Sequence, residues 1–202
     1  MNLQILKNHP QLEGNDQRRI DISVREVMRL EGILEELLDF AKPLQLKTES
    51  CSINTLLSAA LELLEMKFEQ ERVAVTTRFD PGLPDITGDD EKLGQAFINI
   101  LLNALEASTP GAAIDISSTI DLAADNGIKV TIADEGSGIA EKYIHEIFKP
   151  FYTTKSKGTG LGLSNASRII EAHQGLIEFE NRVSSGVRFN IKLPLHFESS
   201  YA

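Results

Sequence analysis

The run Ala96-Phe97-Ile98-Asn99-Ile100-Leu101-Leu102-Asn103-Ala104-Leu105 constrains this chain more than any other stretch. It reads as a helix that must bury most of its surface, yet two asparagines interrupt it one turn apart. At i and i+4 both carboxamides lie on one helix face. A primary amide is costly to bury unpaired, and its oxygen is also a hard ligand of the kind Mg²⁺ accepts. Two readings stay open at this point: a pair of satisfied amides that fixes a core register, or a pair that faces a metal-bound ligand.

At 202 residues, with 42% apolar and 25% charged residues, the chain has the composition of a globular protein with a real core. No apolar run approaches the roughly 18 residues needed to span a bilayer, and no signal-peptide pattern is visible. The single cysteine, Cys51, excludes an internal disulfide framework and a cysteine-rich zinc site. A reducing, cytoplasmic setting is the simplest expectation. The formal charge of -10 argues against nucleic acid as a partner, because phosphate contacts supply most of that affinity. It leaves room for a nucleotide, which needs only a local cluster of cations, amide N–H groups and a metal.

Residues 1–16 read as a short apolar turn (Leu3, Ile5, Leu6) broken at His9-Pro10 and Gly14-Asn15-Asp16. Periodic apolar residues from Gln17 to Phe40 predict a long amphipathic helix, started by Asp16 and ended by Lys42-Pro43. Its wide apolar stripe suggests more than one packing partner. A second helix is expected over Ile53 to about Gln70 with Asn54 as its cap, and a third over Asp89 to Ala107. Strands are expected at 73–79, 113–120, 127–134, 175–181 and 186–193, with a helix at 161–173 and a hairpin signal at Asp125-Asn126-Gly127. The segregation of helices and mostly antiparallel strands predicts an α+β, two-layer sandwich rather than a βαβ repeat.

Two further motifs carry chemistry. Asp134-Glu135-Gly136-Ser137-Gly138-Ile139 directly follows a predicted strand. A carboxylate there can accept a hydrogen bond from an exocyclic amine, and the glycines let backbone approach a flat ring; an ordinary turn fits the same residues. Phe148 to Ser164 then places aromatics, hydroxyls, lysines and three alternating glycines ahead of a helix. Backbone N–H groups at such a start bind phosphate oxygens, and Thr153, Thr154, Lys155 and Lys157 supply donors and charge. The stretch should be mobile, as a lid must be. Its spacing matches neither a P-loop nor a dinucleotide fingerprint.

The order of these motifs, closed by Gly186-Val187-Arg188-Phe189-Asn190-Ile191-Lys192-Leu193-Pro194, resembles the ATP-binding catalytic domain of sensor histidine kinases over residues 45–195. That domain shares its fold with gyrase-type and heat-shock chaperone ATPases and MutL. The resemblance implies ATP and Mg²⁺ as cofactors. It assigns Asn103, with Asn99 beside it, to the metal, and Asp134 to the adenine amine. Gly136 and Gly138 line the base, and Phe148 and Phe151 form an aromatic box anchoring the lid. Thr153, Thr154, Lys155, Gly158, Thr159, Gly160, Leu161 and Gly162 face the phosphates. Hydrolytic relatives carry a glutamate where Asn99 stands; an amide cannot take a proton at neutral pH, so transfer of the γ-phosphoryl rather than hydrolysis is implied.

The resemblance also marks residues 1–44 as part of a dimerisation and phosphoacceptor hairpin, here its second helix, and 45–202 as the catalytic domain. None of His9, His145, His173 and His196 has the context of the acceptor. The expectation is a fragment without its own acceptor, unable to autophosphorylate. The implied partners are the phosphoacceptor helix of a homodimer and a response-regulator receiver domain; the parent protein is soluble or membrane-anchored. Many relatives place a lysine after the second asparagine, where this chain has Glu106, so phosphate neutralisation should lean on Lys155. Val187 replaces a frequent threonine, at the cost of one polar contact near the base. A serine/threonine kinase of the same fold and a nucleotide-gated module without transfer are the rival readings.

Overall fold

Alternation in the strands decides the architecture. In Ala113–Asp121, Gly127–Ala133 and Val187–Leu193 the apolar residues fall on one face, with Ile114, Ile116, Ile128, Val130, Ile132, Phe189 and Ile191 all buried. Such a sheet must be covered on that face and can leave the other to water. A computed structural model of the chain describes residues 14–121, 127–155 and 158–196. The chain divides into two units, Met1–Pro43 and Leu44–Ala202.

The first unit contains α1, Gly14–Ala41. The helix begins within the Gly14-Asn15-Asp16 segment expected to be loop, and it stops where Pro43 restricts the preceding residue. Asp16 lies in its first turn. Exposed pairs support it locally, Arg29 with Glu26 and Lys42 with Asp39, each 2.8 Å apart. Ile22, Met28, Leu30, Leu34 and Leu38 remain half exposed. Leu3, Ile5, Leu6, His9 and Pro10 lie outside the described residues.

The second unit runs β1 (Glu49–Cys51), α2 (Ile53–Glu71), β2 (Ala74–Phe79), β3 (Ile86–Gly88), α3 (Asp90–Ala107), β4 (Ala113–Asp121), β5 (Gly127–Ala133), a 3₁₀ turn (Glu141–Tyr143), α4 (Gly162–Ala172), β6 (Leu176–Asn181) and β7 (Val187–Leu193). The five-stranded sheet has the order β2-β4-β5-β7-β6. Only β2 and β4 pair in parallel; the remaining neighbours are antiparallel, with Ile132 opposite both Ile116 and Phe189. Three helices cover its apolar face, and α3 packs on both α2 and α4. The expected two-layer α+β architecture is the observed one.

Three local features differ from expectation. β1 and β3, only three residues each, pair with each other and were not legible in the sequence. Asn54 does not cap α2: Ser52 does, its Oγ accepting the Thr55 N–H at 3.4 Å. Asn54 instead donates to the Asp80 carbonyl and accepts from Ser118 Oγ, tying α2 to the sheet. The Asp125-Asn126 part of the hairpin signal lies outside the described residues.

The start of α3 is fixed with unusual thoroughness. Asp89 caps it, Oδ1 accepting the Lys92 N–H at 3.0 Å, while Oδ2 accepts the Lys47 N–H at 2.7 Å. The Asp89 N–H donates to Nε2 of the fully buried His173, just past α4, and Nδ1 of His173 bonds the Ile169 carbonyl. The proton therefore resides on Nδ1. Burial holds the His173 pKa below its ordinary value, partly offset by the Ile169 carbonyl and the Asp89 charge. One neutral imidazole thus sets α3 against α4, the two helices that carry the site.

Candidate nucleotide site

On α3 the buried side chains are Leu93, Ala96, Phe97, Ile100, Leu101, Ala104 and Leu105. Asn99 and Asn103 are only half-buried, on a neighbouring face. The asparagines are therefore not core plugs. Asn99 looks toward the start of α4, where a Cβ built on Gly162 would lie 3.9 Å from its Oδ1. Among the described residues its carboxamide makes no hydrogen bond. Asn103 Oδ1 accepts a hydrogen bond at 3.0 Å from the Lys155 ammonium.

The start of α4 is itself uncapped: Leu161, at the N-cap position, offers no side-chain acceptor. First-turn N–H groups without a side-chain cap, next to a free carboxamide and a lysine, form a site for an anion. Thr159 Oγ1 accepts the Leu161 N–H at 3.3 Å, and Leu161 is buried. Gly160 has φ +72, and a Cβ there would meet the backbone of Phe151 and Tyr152 at 2.5–2.7 Å, so only glycine fits. Thr153 Oγ1 accepts the Lys155 N–H, and Gly158 packs closely against Thr153. Thr154 is exposed. Ser156 and Lys157 lie outside the described residues.

The aromatic box is only half as expected. Phe148 is partly buried and meets Phe179 edge-on at 5.9 Å. Phe151 is 61% exposed with φ +66 and anchors nothing in the core. Tyr152 does that work, packed on Tyr143 at 5.6 Å. Sequence position alone could not separate the two neighbours, because the turn at Phe151 reverses which side chain points inward.

At the other end of the site Asp134, at the end of β5, is 1% exposed. The Gly136 and Val187 N–H groups both donate to its Oδ1, at 2.8 and 3.2 Å, and among the described residues Oδ2 receives no hydrogen bond. Burial raises the Asp134 pKa, opposed by those N–H donors and by the Arg182 charge. A buried carboxylate with one satisfied and one open oxygen is a hydrogen-bond acceptor awaiting a donor. Gly136 is required by close packing, since a Cβ would strike the Ala107 carbonyl at the end of α3. Gly138 has φ +76. Val187 is buried and contributes its N–H to Asp134 rather than a side-chain contact.

Sequence reasoning missed the clamp around this segment. Arg182 donates to the Asp134 carbonyl at 2.7 Å, and Ser185 to the Gly136 carbonyl at 2.5 Å. The Asn181 carboxamide pairs with both the N–H and C=O of Ile139, at 2.8 and 2.7 Å. No local signal announces contacts made across more than 40 residues.

The donor set suits Mg²⁺ with a nucleotide: neutral amide oxygens on a helix, one of them already accepting a cationic ammonium, beside a helix start that no side chain caps among the described residues. The remaining histidines are not arranged around it. His173 is buried with both ring nitrogens engaged, and His196 Nδ1 lies 3.0 Å from Thr87 Oγ1. His145 is exposed beside the 3₁₀ turn, and His9 lies outside the described residues.

Residues 88–196 match the family described as histidine kinase-, DNA gyrase B-, and HSP90-like ATPase. Sporulation kinase A of Bacillus subtilis is 39% identical over 193 residues, 95% of this chain and 31% of that protein. Sensor histidine kinase ZraS of Escherichia coli (strain K12) is 31% identical over 183 residues, 91% of this chain and 39% of that protein. This chain thus spans 31–39% of the length of these relatives. The catalytic domain of histidine kinase ThkA superposes with TM-score 0.67 at 32% identity, covering 74% of this chain and 97% of that one. ThkA in complex with the response regulator protein TrrA covers 95% of this chain and 55% of that one, with TM-score 0.74 at 29% identity.

Proposed function

The chain belongs to the histidine kinase-, DNA gyrase B-, and HSP90-like ATPase family, and on that premise we propose that it is the Mg·ATP-binding catalytic part of a two-component sensor histidine kinase. Asp134 accepts the adenine amine through its open oxygen, with Gly136 and Gly138 beside the ring. Asn103 and Asn99 hold the metal edge of the triphosphate. When bound, Mg²⁺ neutralises phosphate charge and fixes the phosphates in one geometry. Lys155, Thr153, Thr154 and the backbone of Gly158, Thr159, Gly160, Leu161 and Gly162 bind the remaining oxygens.

Asn99 carries no base for water, so the γ-phosphoryl goes to another nucleophile, with positioning and charge neutralisation supplying the rate. That nucleophile is a histidine on a dimerisation hairpin to which residues 1–44 contribute the second helix. The half-exposed apolar stripe of α1 supports this, since such a surface marks an interaction face. The phosphoryl then passes to a response regulator, as the named relatives suggest. A cytoplasmic location accords with the free, buried Cys51.

The observation that carries the reading is the position of the two asparagines off the core face, one free toward the uncapped α4 and one on the lid lysine. Calorimetry with ATP, with and without Mg²⁺, tests binding; γ-labelled ATP with the phosphoacceptor hairpin supplied in trans tests transfer. Magnesium-dependent uptake and acid-labile label on that hairpin are expected. No uptake, or Asn103→Ala and Asp134→Ala variants that bind like the parent, would overturn it.

A further inference from the structure

Lys155 Nζ donates simultaneously to Asn103 Oδ1 at 3.0 Å and to Glu106 Oε2 at 2.7 Å. Asn103 and Glu106 are i and i+3 on α3, so their side chains share a face, whereas Lys155 reaches them from the loop ahead of α4. The neutral amide alone would hold a partly exposed ammonium weakly. The carboxylate supplies the charge-assisted half of the contact. The Lys155 ammonium therefore sits on the very oxygen that the ATP reading assigns to the metal.

The two occupants exclude each other. Mg²⁺ binds oxygen at about 2.0–2.1 Å, so a metal and an ammonium on one amide oxygen would stand within roughly 5 Å, two like charges in a half-buried site. We propose, resting on the ATP reading, that Glu106 is a positioning residue: it latches Lys155 over the Asn103 oxygen when the site is empty, and Mg·nucleotide must break that latch. Lys155 then moves from Glu106 to the triphosphate. Glu106 orders the lid before binding and opposes binding at the same time. Glu106 acquires this function from the charge it faces across the site.

The test is a double-mutant cycle between Glu106→Gln and Lys155→Met, with a non-hydrolysable ATP analogue and Mg²⁺ as ligand, plus amide exchange of the nucleotide-free protein. With Lys155 present, Glu106→Gln should lower Kd about two- to fivefold, the range of a partly exposed ion pair. It should also speed exchange at Lys155 before any nucleotide is added. In the Lys155→Met background the gain should vanish. An equal gain in both backgrounds would show that Glu106 acts only as a nearby negative charge, and unchanged exchange would likewise refute the latch. If the parent takes up no Mg·nucleotide, the ATP reading fails, while the exchange comparison still decides whether the latch exists.

Discussion

Around Asp134 the backbone is held by side chains from the end of β6 and the turn after it: Asn181, Arg182 and Ser185 each bond a main-chain group of residues 134–139. Around Lys155, among the described residues, Thr153 bonds the Lys155 N–H within the loop, and the Lys155 ammonium reaches α3 through a partly exposed ion pair with Glu106. The Gly136 and Val187 N–H bonds to Asp134 are buried and expensive to break, whereas an exposed ion pair contributes little. The Asp134 end of the candidate site is the more firmly held, and the Lys155 end is held by fewer and more exposed contacts. On the nucleotide reading proposed above, such a division would help: a rigid end lowers the cost of recognising a ring, and a looser end can adjust to the phosphates.

Backbone changes should expose the asymmetry most strongly. Gly186 has φ +87, and any Cβ there collides with the Asp134 carbonyl. Gly186→Ala should cost about 2–4 kcal/mol in denaturant unfolding. Gly162, at the phosphate end, meets only Asn99 atoms at 3.9–4.0 Å, so Gly162→Ala should leave stability within about 0.5 kcal/mol. Equal losses would remove the distinction.

Next in size is a change of function without loss of stability. Asp134→Asn keeps an acceptor for the Gly136 and Val187 N–H groups but presents an NH₂ where the open oxygen stood. ATP affinity should fall about 100-fold by calorimetry, as when a site built for one hydrogen bond meets the wrong group. Because burial raises the Asp134 pKa, its ionised form is a burden on the fold at neutral pH, and the nucleotide-free Asn variant should melt no lower than the parent. A marked drop in Tm would make Asp134 a structural residue.

The helix junction beneath the site gives a smaller, pH-dependent effect. The folded His173 pKa lies below 6.5, so between the folded value and 6.5 the unfolded chain binds more protons. Stability should therefore fall as pH drops below about 6.5, read by unfolding titrations from pH 7.5 to 5.5. His173→Gln, which retains an acceptor for the Asp89 N–H, should flatten that slope. Asp134 acts with the opposite sign: its raised pKa adds stability as pH falls through the folded value toward 3.8.

The smallest effect separates the two lid phenylalanines. Phe151→Ala, at a 61% exposed position, should change stability by under about 0.5 kcal/mol. Phe148→Ala, which removes the edge contact with Phe179, should cost about 2–3 kcal/mol.

Periodicity and turn chemistry are local, and what they govern was legible: the long sheet strands, the helix carrying Asn99 and Asn103, Asp134 at a strand end, and the glycines ahead of α4. The Asn54 cap was misread because its amide is claimed by Asp80 and Ser118 from other elements. The outward direction of Phe151 was not legible because it depends on a positive φ. Neither event has a signature within a short window of sequence.

The order and spacing of its residue types thus determined this protein's layers, its family and the candidate amide and carboxylate residues of its site. Tertiary structure alone decided that the asparagines leave the core face, that a hairpin 42–49 residues downstream grips the base segment, and that Glu106 meets Lys155. Helix and strand propensities act over a few residues, while hydrogen bonds between distant segments exist only after the chain has packed, so no local pattern encodes them.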